Sequence, residues 1–295
     1  MKPFAILVAF GWAGMLLRPV CAQTLDGAID MHAHSDPDGT PRSIDAVDLA
    51  KLAKSRGMRA IVLKNHYEPT ASLAYIVRKE VPGIEVFGGI SLDLTVGGVN
   101  PAAVEWMTKV KGGYGRVIWL PTFDSENQVR MSKENRSFAI VVQDGAVTPA
   151  VSQVIALAAK HNLILETGHS SPAEALIIIR EAKRQGVQNV LVTHAMSSPV
   201  NMSIGQMREA AKLGAYLELV WVRPGTDAAR AYVNAIRAVG SESIVLSSDL
   251  GQAANPLHPD GLLAMYQYLA SQGVPTVDID RMAKTNPAKL LGLKP

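Results

Sequence analysis

From residue 27 onward, short apolar runs alternate with segments whose apolar positions recur at the helical period. The runs fall at about 27–33, 58–65, 84–92, 116–121, 162–168, 188–194, 215–220 and 243–249, and are rich in β-branched residues. Between them lie helical-period segments at Ser43–Arg56, Ser72–Glu80, Ala102–Lys111, Val151–His161, Ala173–Gln185, Ile204–Leu213, Thr226–Val239 and Asp260–Ser271. Ser43 is placed to cap the first helix and Gly57 to end it. Strictly alternating strands and helices imply a parallel sheet. Near-continuous apolar strands such as Val190-Leu191-Val192 imply a sheet covered on both faces. Eight such units over roughly 250 residues predict a TIM (β/α)8 barrel. An open doubly wound sheet is the alternative, but no GxGxxG run follows the first strand.

One interval is too long for a plain connection. The stretch Phe123–Thr148 follows the fourth strand, and within it Phe138–Val142, Gln143-Asp144-Gly145 and Ala146-Val147 read as a hairpin with an Asp-Gly turn. An insert at that end of a barrel strand lies beside the mouth, as a lid or as a surface decoration.

In a barrel, functional residues gather at the C-terminal ends of the strands. Five of the seven histidines fall there: His32 and His34 on the first strand, His66 after the second, His169 on the fifth and His194 on the sixth. Residues two apart on a strand share a face, so His32 and His34 project together and make half of a metal site. Asp30, two residues earlier, faces the same way and can support the pair. Asp249 ends the apolar strand Ile244-Val245-Leu246. A carboxylate there needs a partner, and a metal ion is one. Lys64, at the end of Ile61-Val62-Leu63, is equally odd for a solvated charge.

Composition narrows the class. Of 295 residues, 48% are hydrophobic and 19% charged, and a net charge of +3 without blocks of one sign gives no argument for nucleic acid or an anionic membrane surface. Residues 1–22 read as a secretory signal peptide: Met1-Lys2, the apolar run Phe4–Leu17, then Val20-Cys21-Ala22 before a cut at Gln23. A lipoprotein cut at Cys21 fits Arg18-Pro19-Val20 poorly. Cleavage removes the single cysteine, and with Lys2 and Arg18 gone leaves 27 basic against 26 acidic residues. The expected mature chain is one domain, 23–295, periplasmic or secreted, without stable membrane insertion and without thiolate ligands. A homo-oligomer is open.

The pieces Asp30-Met31-His32-Ala33-His34, Glu166-Thr167-Gly168-His169, Val192-Thr193-His194-Ala195, Ser248-Asp249 and Thr285-Asn286-Pro287-Ala288-Lys289-Leu290-Leu291-Gly292 resemble those of the amidohydrolase superfamily. The nearest branches are the phosphotriesterase-like and uncharacterised predicted hydrolases, and the resemblance spans the whole mature chain. It implies that His32, His34, His169, His194 and Asp249 bind one or two divalent metals, with Asp249 taking the proton of the attacking water. Two-metal members of this group often use a carboxylated lysine on the fourth strand as a bridging ligand. Here that strand, Val117-Ile118-Trp119-Leu120-Pro121-Thr122, has none. Lys64 on the second strand is the candidate in its place, carboxylated or simply charged, with snorkelling at the rim as the plain alternative.

Imidazole plus carboxylate suits zinc, and also manganese, cobalt, nickel or iron. The expected reaction is hydrolysis of a small molecule, with an amide or lactam bond first and a lactone, ester or phosphoester second. A non-catalytic metal- or solute-binding barrel and a decarboxylase are the rivals. His66, Tyr67, Trp119, Trp221 and Arg223 are expected to line the substrate pocket, with Phe123 beside them and Arg223 placed to take a carboxylate. Glu166 is a support for His169 or a polar residue of the barrel layer. His161 is read as a helix-end cation, and His258 lies in the last mouth loop.

Overall fold

Eight parallel strands follow one another in sequence order around a barrel: β1 (Ile29–Ala33), β2 (Ala60–Leu63), β3 (Glu85–Ser91), β4 (Gly115–Trp119), β7 (Ile164–Glu166), β8 (Asn189–Val192), β9 (Tyr216–Leu219) and β10 (Ile244–Leu246). The hairpin β5 (Val142–Gln143) and β6 (Ala146–Val147) stands apart. The computed structural model describes residues 23–294, so the expected signal peptide and Cys21 lie outside the described residues. The last strand returns to the first through a bridge from Ala33 to Leu250 and through Asp249 N–H to the His32 carbonyl (2.8 Å) and His34 N–H to the Leu250 carbonyl (2.9 Å). The chain is a TIM (β/α)8 barrel, as its alternating pattern predicts.

The helices are α1 (Ala46–Ser55), α2 (Ala71–Glu80), α3 (Pro101–Thr108), α4 (Glu126–Met131), α5 (Pro149–Lys160), α6 (Pro172–Arg184), α7 (Ile204–Lys212), α8 (Asp227–Val239), α9 (His258–Ser271), α10 (Thr276–Asp280) and α11 (Asn286–Leu291). Their starts are written locally. Ser171 with Glu174, and Ser203 with Gln206, form reciprocal capping boxes on α6 and α7. Asp45, rather than the expected Ser43, caps α1 by accepting from the N–H groups of Val47 and Asp48. Among the described residues no helix is long and apolar enough to cross a membrane.

Two apolar layers result. Leu49, Ala53, Val77, Ile155, Ile179 and their neighbours fill the space between sheet and helices. Ile29, Met31, Val62, Val117, Trp119, Ile164, Leu191 and Val245 fill the barrel, joined by Leu290 and Leu291 from α11. The barrel interior is therefore largely packed with apolar side chains, with Asp30, His32, Glu166 and Glu218 buried among them.

The insert divides in two. The turn Asp144-Gly145 has positive φ at both residues, as a two-residue hairpin loop requires, and the hairpin packs on α6 at the outside of the barrel. Its earlier half, with Phe123, Asp124, Gln128, Glu134 and Arg136, forms a wall of the mouth. The insert is thus wall and decoration at once, and includes a short helix, α4, that the apolar pattern does not announce.

Candidate metal centre

His32, within β1, and His34, just past its end, face Asp249 across the closing seam. Asp249 Oδ1 lies 3.1 Å from His32 Nε2 and 3.1 Å from His34 Nε2. These three atoms lie within 4.8 Å of one another. Two ligands held at ~2.1 Å by a tetrahedral ion sit about 3.4 Å apart, so the donor set fits a divalent metal. Neighbouring groups fix the His32 ring and the backbone around His34 and Asp249. His32 Nδ1 donates to Glu218 Oε2 (3.0 Å), which aims Nε2 toward the centre. Asp30 Oδ1 accepts from the N–H groups of His32 (3.1 Å) and Ser248 (2.9 Å), tying β1 to the strand that delivers Asp249. His258 Nε2 lies 2.9 Å from the His34 carbonyl.

His169 and His194 complete the rim, their ring centroids 4.8 Å apart and His194 stacked 6.2 Å from His32. They lie beside the tight trio rather than within it. His169 Nδ1 is 3.1 Å from Gln128 Oε1, and Glu218 Oε2 also accepts from His194 N–H (2.9 Å). His194 and Asp249 both have positive φ, a strained conformation of the kind that gathers at functional sites. Gly168, before His169, has φ +60 and abuts the Leu120 carbonyl, so no side chain fits there.

Lys64 is 1% exposed. Its Nζ is 3.0 Å from His32 Nε2, and among the described residues no carboxylate lies within ion-pair distance of it.

The electrostatics follow from burial and from who faces whom. Burial alone pushes the His32 imidazole down, but Asp249 and Glu218 hold it at about 10 against Lys64. Burial holds His34 at about 3, and keeps His66, His169 and His194 low and neutral. Burial would raise the Asp249 carboxyl, yet His32 and His34 keep it well below the usual carboxylate range. Burial pushes the Lys64 ammonium down. Burial and the nearby Glu218 push Glu166 up to about 8.

Above this floor opens a cleft of about 780 Å³, lined by His34, Lys64, His66, Tyr67, Phe123, Gln128, His169, His194 and Asp249, together with Arg42, Asp124 and Arg136. Asp249, 27% exposed, turns its remaining surface to it.

A family model, described as a family of unknown function, DUF6282, matches residues 27–218. The chain belongs to DUF6282. That stretch holds every histidine of the rim, Lys64 and Glu218, while Asp249 lies beyond it. No curated protein sequence matches the DUF6282 chain. Among solved structures it is similar to one from the molecular engineering of organophosphate hydrolysis activity from a weak promiscuous lactonase template, at 15% identity and TM-score 0.63, covering 92% of this chain and 97% of that one. A triple mutant of organophosphorus hydrolase from Deinococcus radiodurans matches at 15% identity and TM-score 0.63, covering 91% and 94%. An amidohydrolase from Pseudomonas aeruginosa matches at 12% and 0.62, covering 90% and 95%. At such identities the likeness is one of fold, and it is the fold the resemblance to amidohydrolases implies.

Three expected pocket residues are not in the cleft of the DUF6282 barrel. Trp119 is fully buried in the barrel interior beneath His32, 6.4 Å between centroids, because its side chain points inward from the end of β4 and the cleft lining begins only at Phe123. Trp221 packs against Gly261 at the start of α9 instead of facing the mouth. Arg223 is exposed, and its carbonyl accepts from the Thr226 hydroxyl (2.8 Å) in a turn before α8. His66 and Tyr67 do line the cleft. His161 caps α5 and lies 3.2 Å from Glu105, as a structural residue would. Glu166 accepts from the Thr193 hydroxyl (2.9 Å) and lies in the polar layer under the rim.

Sequence reasoning missed Glu218, Asp93, Thr122, Gln128 and Arg42. Glu218 had a signal: a carboxylate inside Tyr216-Leu217-Glu218-Leu219-Val220 poses the same question as Asp249.

Proposed function

We propose that this protein is a metal-dependent hydrolase of the amidohydrolase superfamily, acting outside the cytoplasm on a small molecule with an acyl bond. The observation that carries the reading is the convergence of His32 Nε2, His34 Nε2 and Asp249 Oδ1 at the base of an open cleft. His32, His34 and Asp249 would hold a divalent ion, with His169, His194 and Lys64 around it, and zinc suits the donor set. Such an ion supplies Lewis acidity and hydroxide near neutral pH. Asp249, ionised and turned to the cleft, accepts the proton of the attacking water and passes it to the leaving group. Glu218 and Asp30 keep the first-strand histidine in place, while Tyr67 and Phe123 wall off the substrate. Lys64 is the group on which carboxylation, and so a second ion, depends.

An amide or lactam is our first reading of the bond. A lactone, ester or phosphoester is the second; one structural neighbour is described as a lactonase template and another as an organophosphorus hydrolase. The test is metal analysis of the purified chain and turnover of matched lactam, amide, lactone and ester panels by the zinc-loaded protein. Metal-dependent hydrolysis that is lost in Asp249→Asn is expected. Stoichiometric metal with no turnover of any panel member would instead make it a non-catalytic metal-binding barrel.

A further inference from the structure

Asp93, Thr122 and His66 form a chain of hydrogen bonds that fixes where each proton points. Asp93, just past β3, is fully buried. Its Oδ1 accepts from the N–H groups of Thr122 (2.8 Å) and Asp124 (2.9 Å), and its Oδ2 accepts from the Thr122 hydroxyl. Burial pushes the Asp93 carboxyl up, and the two backbone donors on one oxygen with the Thr122 hydroxyl on the other favour the ionised carboxylate against it. The Thr122 hydroxyl has a single proton, which goes to Asp93. Only a lone pair of Oγ1 is left for His66 Nδ1, 2.8 Å away, so Nδ1 carries the ring proton. In a neutral imidazole the other nitrogen is then a bare acceptor. The ring is held between His34, 4.9 Å away, and Phe123, 4.1 Å away, and lines the cleft. Among the described residues the His66 ring makes no other hydrogen bond, which leaves Nε2 to the cleft.

We infer that His66 Nε2 is a hydrogen-bond acceptor for the substrate, and that the site selects acyl compounds carrying an N–H or O–H donor beside the scissile carbonyl. A secondary amide or lactam meets this condition; its N-alkylated counterpart does not. The scissile bond in this statement rests on the hydrolase reading, whereas the acceptor rests on the hydrogen-bond chain alone. Thr122 and Asp93 act through His66 and are positioning residues. A ligand without the donor buries Nε2 unpaired, which lowers affinity about tenfold or more.

The experiment uses the zinc-loaded full chain labelled on its histidine nitrogens, with matched pairs of lactams and N-methyl lactams as probes. NMR is expected to show His66 protonated on Nδ1, a mixture of tautomers in Thr122→Val, and recovery in Thr122→Ser. Each N–H lactam should shift the Nε2 resonance and bind about tenfold more tightly than its N-methyl partner. His66→Phe should abolish that preference. A proton on Nε2, a coordination shift of Nε2 on adding zinc alone, or equal or absent binding of both probes overturns the inference. None of these readouts needs turnover. A silent protein that passes them refutes only the hydrolase reading, and an active one that fails them refutes only the acceptor.

Discussion

Glu218→Gln keeps the shape of the side chain and one acceptor oxygen but removes its charge. In the native barrel Oε2 accepts from His32 Nδ1 at 3.0 Å and from His194 N–H at 2.9 Å, where neither donor meets water. Hydrogen bonds to a charged acceptor are worth about 1.5–3 kcal/mol and neutral ones about 0.5–1.5. Two bonds each weakened by about 1 kcal/mol cost about 2 kcal/mol, or roughly thirtyfold in an equilibrium constant. The loss falls on metal binding, because the bond to Nδ1 keeps His32 in the tautomer whose Nε2 faces the centre. Zinc affinity, measured by competition with a chromophoric chelator, should fall about 10–100-fold while the circular dichroism spectrum is retained. A second signature accompanies it. Glu166, held up to about 8 by burial and then by the Glu218 charge, should titrate lower in the variant. Zinc affinity unchanged within about twofold would refute the argument that Glu218 orients the first-strand ligand.

Asp249→Asn keeps a neutral oxygen near the two imidazoles but cannot take a proton; kcat on any hydrolysed substrate should fall about 10²–10⁴-fold, and a smaller loss would move the base elsewhere. His32 is held at about 10 and so carries a proton near neutral pH, while His34, at about 3, does not. Zinc must displace the His32 proton, so binding should release about one proton and tighten roughly tenfold per pH unit from ~6 to ~9; calorimetry in buffers of different ionisation enthalpy checks this, and pH-independent affinity would sink it. Trp119→Ala empties part of the barrel interior and should lower unfolding free energy in urea by about 3–5 kcal/mol. Arg223→Ala should leave stability within about 0.5 kcal/mol and KM unchanged, since that side chain is exposed and outside the cleft.

The rim was readable because each barrel strand is an apolar run with nothing to hide a polar residue at its end. His32, His34, Lys64, His66, His169, His194 and Asp249 all fall in or just after such runs, and all but His32 line the cleft. What position cannot supply is direction. Trp119 and Trp221 are near strand ends, but large rings are also what fill a barrel interior and the gap under a helix. The supports were harder still. Asp93 and Thr122 meet only because β3 and β4 are neighbours, and Gln128 reaches His169 from a short helix with no apolar stripe.

The trio His32, His34 and Asp249 sits on the seam where the barrel closes, and the same atoms serve both purposes. Asp249 N–H bonds the His32 carbonyl and His34 N–H bonds the Leu250 carbonyl, while Ser248 reaches Asp30 and the His32 carbonyl. Gly251, at φ +128, packs against the His34 carbonyl so closely that a Cβ there would collide with it. Slipping this register by one residue would turn each ligand to the other face of its strand. The positive φ of Asp249, costing about 1–3 kcal/mol, persists because these bonds over-determine it. The proposed ligand set is therefore assembled by closure itself, from residues 32 and 34 at one end of the barrel sequence and 249 at the other. An ion bound there would recognise only the closed barrel, and by mass action it would add its binding free energy to the closing junction of the sheet, where Ala33 bridges Leu250.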